Sequence, residues 1–169
     1  KGLFMPYGVG AAHVRDGSLL KKANSFGASY LADLGDHDHN PADYSPELTR
    51  HFRGARLFVA LKTHGLETFR AALEEKLLLA RLAYDLLKSN PQLSIVCEPE
   101  LSVVVFRVKA DSDAPTEKLL KQIVDRGEVV ISSTKLNGQM YLRLCVLCFR
   151  SHKAEVEKCV SEINAAVGH

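Results

Sequence analysis

Apolar positions change their spacing twice along this chain of 169 residues. From Gly65 to Ser89 they recur at three- and four-residue steps, as Phe69, Leu73, Leu77, Ala80, Tyr84 and Leu87, with charged residues between them. That period predicts one long amphipathic helix whose stripe faces a core. Asn90-Pro91 ends it, because proline disfavours helical backbone in the residue before it. Ser94 to Cys97 and Leu101 to Val108 are rich in β-branched residues and read as strands. Ala114 to Arg126 returns to helical spacing, with Leu119, Leu120 and Ile123 together and Gly127 placed as the C-terminal cap. Glu128 to Ser132 and Met140 to Leu147 are predicted strands, with Leu136-Asn137-Gly138-Gln139 as a turn between them. Ser151 to Ala166 closes the chain as a helix; Ser151 and Glu155 stand one residue too far apart for a capping box. The sum is an α+β module, a small sheet covered by helices.

The first third is less regular. Residues 1–16 are glycine-rich and read as a loop followed by a strand around Gly10 to Arg15. Residues 17–32 read as a short helix and turn anchored by Leu19 and Leu20. Asp33 to Thr49 holds two prolines, one glycine, five acidic residues and two histidines, and is expected to be a mobile polar connection. Leu57 to Lys62 is a short apolar stretch leading into the long helix.

Composition narrows the function classes. The chain is 46% hydrophobic and 25% charged, with a formal charge of +2. This balance gives no reason to expect a nucleic acid or an anionic membrane as partner. No apolar stretch approaches the ~20 residues of a membrane span. Cys145 and Cys148 form a C-x-x-C, but within an apolar run where an odd offset would turn them to opposite faces of a strand. With Cys97 and Cys159 they are expected to be reduced, buried small hydrophobes, which points to a cytoplasmic protein. Asp36-His37-Asp38-His39 alternates like a metal cluster but lies beside Asn40-Pro41 without further ligands at familiar spacing, so a solvated loop and no metal are expected.

The order of certain residues adds a resemblance. Lys1-Gly2-Leu3-Phe4-Met5-Pro6-Tyr7-Gly8-Val9-Gly10-Ala11-Ala12-His13-Val14-Arg15-Asp16 resembles the segment that begins at the cofactor lysine in group II pyridoxal-phosphate amino-acid decarboxylases. That family comprises the aromatic amino-acid, histidine and glutamate decarboxylases. The likeness continues through Tyr30, through His51-Phe52-Arg53-Gly54, and on to Tyr141-Leu142-Arg143-Leu144-Cys145, so it covers nearly the whole chain. It implies an α/β enzyme of fold-type I, with this chain as its C-terminal part. Residues 1–64 would end the large cofactor-binding domain and include a mobile loop. Residues 65–169 would form a linker helix and a small C-terminal α+β domain.

The resemblance also implies roles. The cofactor would be pyridoxal 5′-phosphate, held by the Lys1 amine until the substrate amine displaces it. Tyr30, in Gly27-Ala28-Ser29-Tyr30-Leu31, matches a loop tyrosine that protonates the substrate carbon after carbon dioxide leaves, acting across a dimer interface; packing beside Phe26 and Leu31 is its other reading. Arg143 matches an arginine that binds a substrate carboxylate in glutamate-decarboxylating members; a structural ion pair is its other reading. Arg50, His51 and Arg53 resemble an arginine-rich segment whose expected role is ion pairing at a domain interface. The implied reaction is decarboxylation of an L-amino acid to an amine. The implied partners are the upstream N-terminal segment, a second copy in a homodimer and an amino-acid substrate. The isolated chain is expected to be inactive. Two alternatives stay open: a non-catalytic interaction fragment, and a pyridoxal lyase or deaminase of the same fold.

Overall fold

The computed structural model describes residues 2–5, 7–24 and 40–168. The chain divides into two compact units, Met5–Ala60 on one side and Lys1–Phe4 with Leu61–His169 on the other.

The smaller unit begins with an irregular stretch through Arg15. The strand expected around Gly10 to Arg15 does not form: an extended segment becomes a strand only when a neighbour takes its backbone bonds, and none of the described residues does so. Helix α1 (Gly17–Asn24) has no buried residue, and the Asp16 carboxylate accepts a hydrogen bond from the Ser18 N–H at 3.0 Å. Asn40 caps a short 3-10 helix (Pro41–Tyr44) by accepting from the Ala42 N–H at 3.1 Å. Helix α2 (Arg53–His64) absorbs the apolar stretch Leu57–Lys62. Its Leu, Ala, Arg and Lys residues are good helix formers, and Gly54 in the first turn masks that start in the sequence. Arg53 meets Glu47 through two hydrogen bonds, 2.5 and 3.0 Å. Both partners of this ion pair lie within this unit.

The larger unit is built on helix α3 (Leu66–Lys88). Gly65, at φ 77° and ψ 152°, separates it from α2 in a conformation that side chains other than glycine rarely adopt. After α3 the chain runs β1 (Leu93–Ile95), β2 (Val103–Val108), α4 (Ala114–Arg126), β3 (Ser132–Leu136), β4 (Gln139–Cys145) and α5 (Lys153–Val167). The strands form one antiparallel sheet in the order β1-β2-β4-β3. Leu79, Ala80, Ala83 and Leu87 of α3, Leu119 and Ile123 of α4, and Val156, Val160, Ile163 and Ala166 of α5 close over Leu93, Val104, Phe106, Leu142 and Leu144. All three helices thus share one face of the sheet.

Several boundaries differ from expectation for identifiable reasons. The buried line on α3 runs through Lys76, Leu79, Ala80, Ala83 and Leu87, while Leu77 is 42% exposed. The buried positions fall one residue before Leu77 and Tyr84, at Lys76 and Ala83. β3 starts at Ser132, not Glu128. Asn137 and Gly138, at φ 51° and 81°, make a two-residue turn of the type I′ kind, and that turn fixes which residues face β4. Gly127 caps α4 at φ 69° as expected. The cap of α5 is His152: its N–H donates to the Glu155 carboxylate at 2.8 Å, three residues on. All four cysteines are free, but Cys97 and Cys148 are exposed and Cys145 and Cys159 are half-buried. β4 ends at Cys145, so Cys148 lies in the turn beyond it.

Candidate functional site

Alternation along a strand sends successive side chains to opposite faces. With Leu142 and Leu144 committed to the core, Tyr141, Arg143 and Cys145 of β4 face away from the three helices. Pairing extends that face across the sheet. Arg143 lies opposite Val105 on β2 and Ser132 on β3. In the neighbouring row Ser94 lies opposite Arg107, and Thr134 opposite Tyr141. The helix-free face therefore holds two arginines, one tyrosine, small hydroxyl residues and valines. Sequence periodicity predicted Arg143 on a strand, and it is there, half-buried. The structural ion pair that was its other reading is absent among the described residues.

Arg107 behaves differently. It is 6% exposed, and its Nη2 donates to the carbonyls of Ser112 (3.0 Å) and Ala110 (3.4 Å) and to the Asp113 carboxylate (3.2 Å). Asp113 also accepts from the Met140 N–H at 3.0 Å. The guanidinium carbon stands 5.5 Å from the centre of the Tyr141 ring. This cluster ties the end of β2, the start of α4 and the start of β4 together, and it leaves the buried Arg107 Nε–H without an acceptor. Arg107 is thus a structural arginine on the same face where Arg143 is uncommitted.

A second polar cluster, absent from the sequence reading, joins α3 to the start of α5. Lys76 is 3% exposed, and its Nζ reaches the Ser151 carbonyl at 2.5 Å and Glu75 at 2.8 Å. The other Glu75 oxygen lies 2.7 Å from His152 Nδ1. Hydrogen bonding to His152 and then to Lys76 holds the Glu75 carboxyl below its ordinary value. A buried lysine on a helix otherwise lined with leucine is the signal that could have revealed this cluster. Nearby, the backbone and side chain of Arg150 lower the Cys148 thiol, whereas burial pushes Cys159 up to about 11.

Lys1 and Tyr30 lie outside the described residues, as does Asp36 to His39. The described residues contain no group of three or more His, Cys, Asp or Glu able to hold a metal, and no described helix is long and apolar enough to cross a membrane. A pyridoxal phosphate site needs a lysine amine, a carboxylate for the pyridine nitrogen, a stacking group and phosphate donors. Of these, the resemblance assigns the amine to Lys1, which lies outside the described residues. The two arginines of the sheet face do not complete the set, because Arg107 is already engaged by Asp113.

Comparison with known proteins settles the family. Over 175 aligned positions the chain is 27% identical to an aromatic-L-amino-acid decarboxylase of Bacillus atrophaeus, covering 98% of this chain and 36% of that protein. It is 31% identical to tyrosine decarboxylase 2 of Arabidopsis thaliana over 113 residues, which is 63% of this chain and 21% of that one. The fold is shared with the crystal structure of Catharanthus roseus tryptophan decarboxylase in complex with L-tryptophan. There the TM-score is 0.71 at 23% identity, over 75% of this chain and 28% of that chain. The chain thus spans about a third of the length of the first curated relatives it matches. Residues 1–109 match the family model described as the pyridoxal-dependent decarboxylase conserved domain, and the chain belongs to that family.

Proposed function

We propose that this chain is part of an enzyme that converts an aromatic L-amino acid into its amine and carbon dioxide with pyridoxal 5′-phosphate. The observation that supports this reading is the family match over residues 1–109 together with relatives named for aromatic substrates. Lys1 would hold the cofactor, which when bound supplies the electron sink for loss of the carboxylate. Arg143 contacts a carboxylate of the substrate: its guanidinium lies half-buried on the helix-free sheet face with no acidic partner among the described residues. Tyr30 donates the proton that replaces carbon dioxide on the substrate carbon.

The same reading assigns residues 1–64 to the end of a large domain and 65–169 to a linker helix and small domain. The helix-free sheet face, with Val103, Val105 and Tyr141 only partly covered, lines the substrate cleft, and the upstream segment of the enzyme closes that cleft from the other side. A homodimer brings Tyr30 to the neighbouring subunit. The four free cysteines fit a reducing, cytoplasmic setting.

Borohydride reduction of the complete enzyme with its cofactor, followed by peptide mass mapping, tests the assignment. A pyridoxyl adduct on the Lys1 side chain and release of amine with carbon dioxide in equal amounts are expected. An unmodified Lys1 in a cofactor-loaded enzyme would sink it.

A further inference from the structure

We infer that Ser132 is a second carboxylate donor beside Arg143, the two forming one substrate-binding pair on the helix-free sheet face. This deepens the proposed function and rests on its reading of Arg143 as a substrate contact.

Pairing carries the inference. Ser132 lies directly opposite Arg143 across the β3–β4 ladder, and opposite residues of an antiparallel pair place their Cβ atoms about 5 Å apart on one face. The other neighbours of Arg143 are Val105 across the sheet and Tyr141 and Cys145 along its own strand. None of these is anionic. An acidic residue opposite would stabilise a cationic one. A serine there leaves the positive charge available and adds a hydroxyl. β3 is an edge strand of this sheet, and Ser132 is exposed in this chain. Its hydroxyl has no hydrogen-bond partner among the described residues. A carboxylate accepts at about four lone-pair sites. The guanidinium fork uses two in line, and the hydroxyl suits a third from the side.

The test uses the full-length, cofactor-loaded enzyme and two competitive probes. One is 3-phenylpropionate, which has the carboxylate without the amine; the other is phenethylamine, which has the amine without the carboxylate. Ser132→Ala is expected to weaken 3-phenylpropionate about 3- to 10-fold, the effect of one lost hydrogen bond to a ligand, with phenethylamine changed less than about twofold. Ser132→Thr should restore the loss. In an Arg143→Lys background the Ser132→Ala effect should shrink, because the two donors act on one group. Unchanged inhibition by 3-phenylpropionate in Ser132→Ala, with Arg143→Lys impaired, overturns the role of Ser132 and leaves that of Arg143. Equal loss on both probes overturns it as well. If Arg143→Lys also leaves 3-phenylpropionate unaffected, the reading of Arg143 falls and this inference with it.

Discussion

The two faces of the sheet are made from the same four strands and obey opposite demands. On one, Leu93, Val104, Phe106, Leu142 and Leu144 are sealed under α3, α4 and α5. On the other, Arg107, Tyr141, Arg143 and Ser132 alternate with valines and stay partly open or engage one another. Shape and burial are settled within the chain on the first face. On the second, two arginines of the same chemistry diverge. Arg107 is consumed by the turn it holds, while Arg143 has no acidic partner among the described residues. Residue type alone does not separate them; position in the ladder does.

Exchanges between the faces should expose this division. Phe106→Ala should cost about 3–5 kcal/mol of stability in chemical denaturation, whereas Val105→Ala, its neighbour on the open face, should cost under about 1.5 kcal/mol. Comparable losses at the two sites would mean that the open face is also sealed. One step along β4 the contrast becomes functional. Leu142→Ala should destabilise by about 2–5 kcal/mol. Arg143→Ala should shift the denaturation midpoint little while weakening inhibition of the complete enzyme by 3-phenylpropionate at least about tenfold, the loss of a charged contact.

Smaller effects come from the thiols. Thiolate is the reactive form. Cys148, lowered by Arg150 and exposed, should therefore be alkylated well before Cys159 at pH 8, as followed by mass spectrometry. Equal rates would place the two in equivalent surroundings. Cys159 also carries a pH signature. Its folded value of about 11 exceeds the ordinary 9.0, so its contribution to stability is complete below pH 9 and is lost as pH rises toward 11. Cys159→Ala should flatten that alkaline slope.

The smallest expected change is at Glu75. Its folded value lies below the ordinary 4.5, so the stability it contributes is present above pH 4.5 and declines as pH falls through the lowered value. Glu75→Gln should remove that part of the acid slope in a series of denaturation curves. The pair is exposed, so the change will be slight and salt-sensitive.

Local rules carried the reading furthest. α4 with its glycine cap, the β3–β4 turn and the long helix were visible because each depends on residues a few positions apart. β3 was displaced by four residues because its apolar lead-in, Val129 to Ile131, looks like a strand until the two-residue turn dictates pairing. α2 was hidden by Gly54. Lys76 was not legible, since its partner Ser151, 75 residues on, becomes a neighbour only after folding; Arg107 has partners within six residues, but only the turn after β2 brings them back to it. Arg143 could be placed on a strand, but its lack of an acidic partner required the ladder. Lys1 and Tyr30 rest on the order of residues and on family resemblance.

The turn at Asn137-Gly138 has a kinetic consequence. It closes the β3–β4 hairpin over two residues, so bringing those strands together sacrifices little chain entropy. The β2–β4 pairing must instead wait for the segment containing α4 to fold back. The hairpin can therefore assemble on the microsecond scale of isolated hairpins, presenting the free edge of β4 as a template before the remainder of the sheet arrives. A slower closing turn would leave that edge unpaired for longer, in the state where chains adhere to one another.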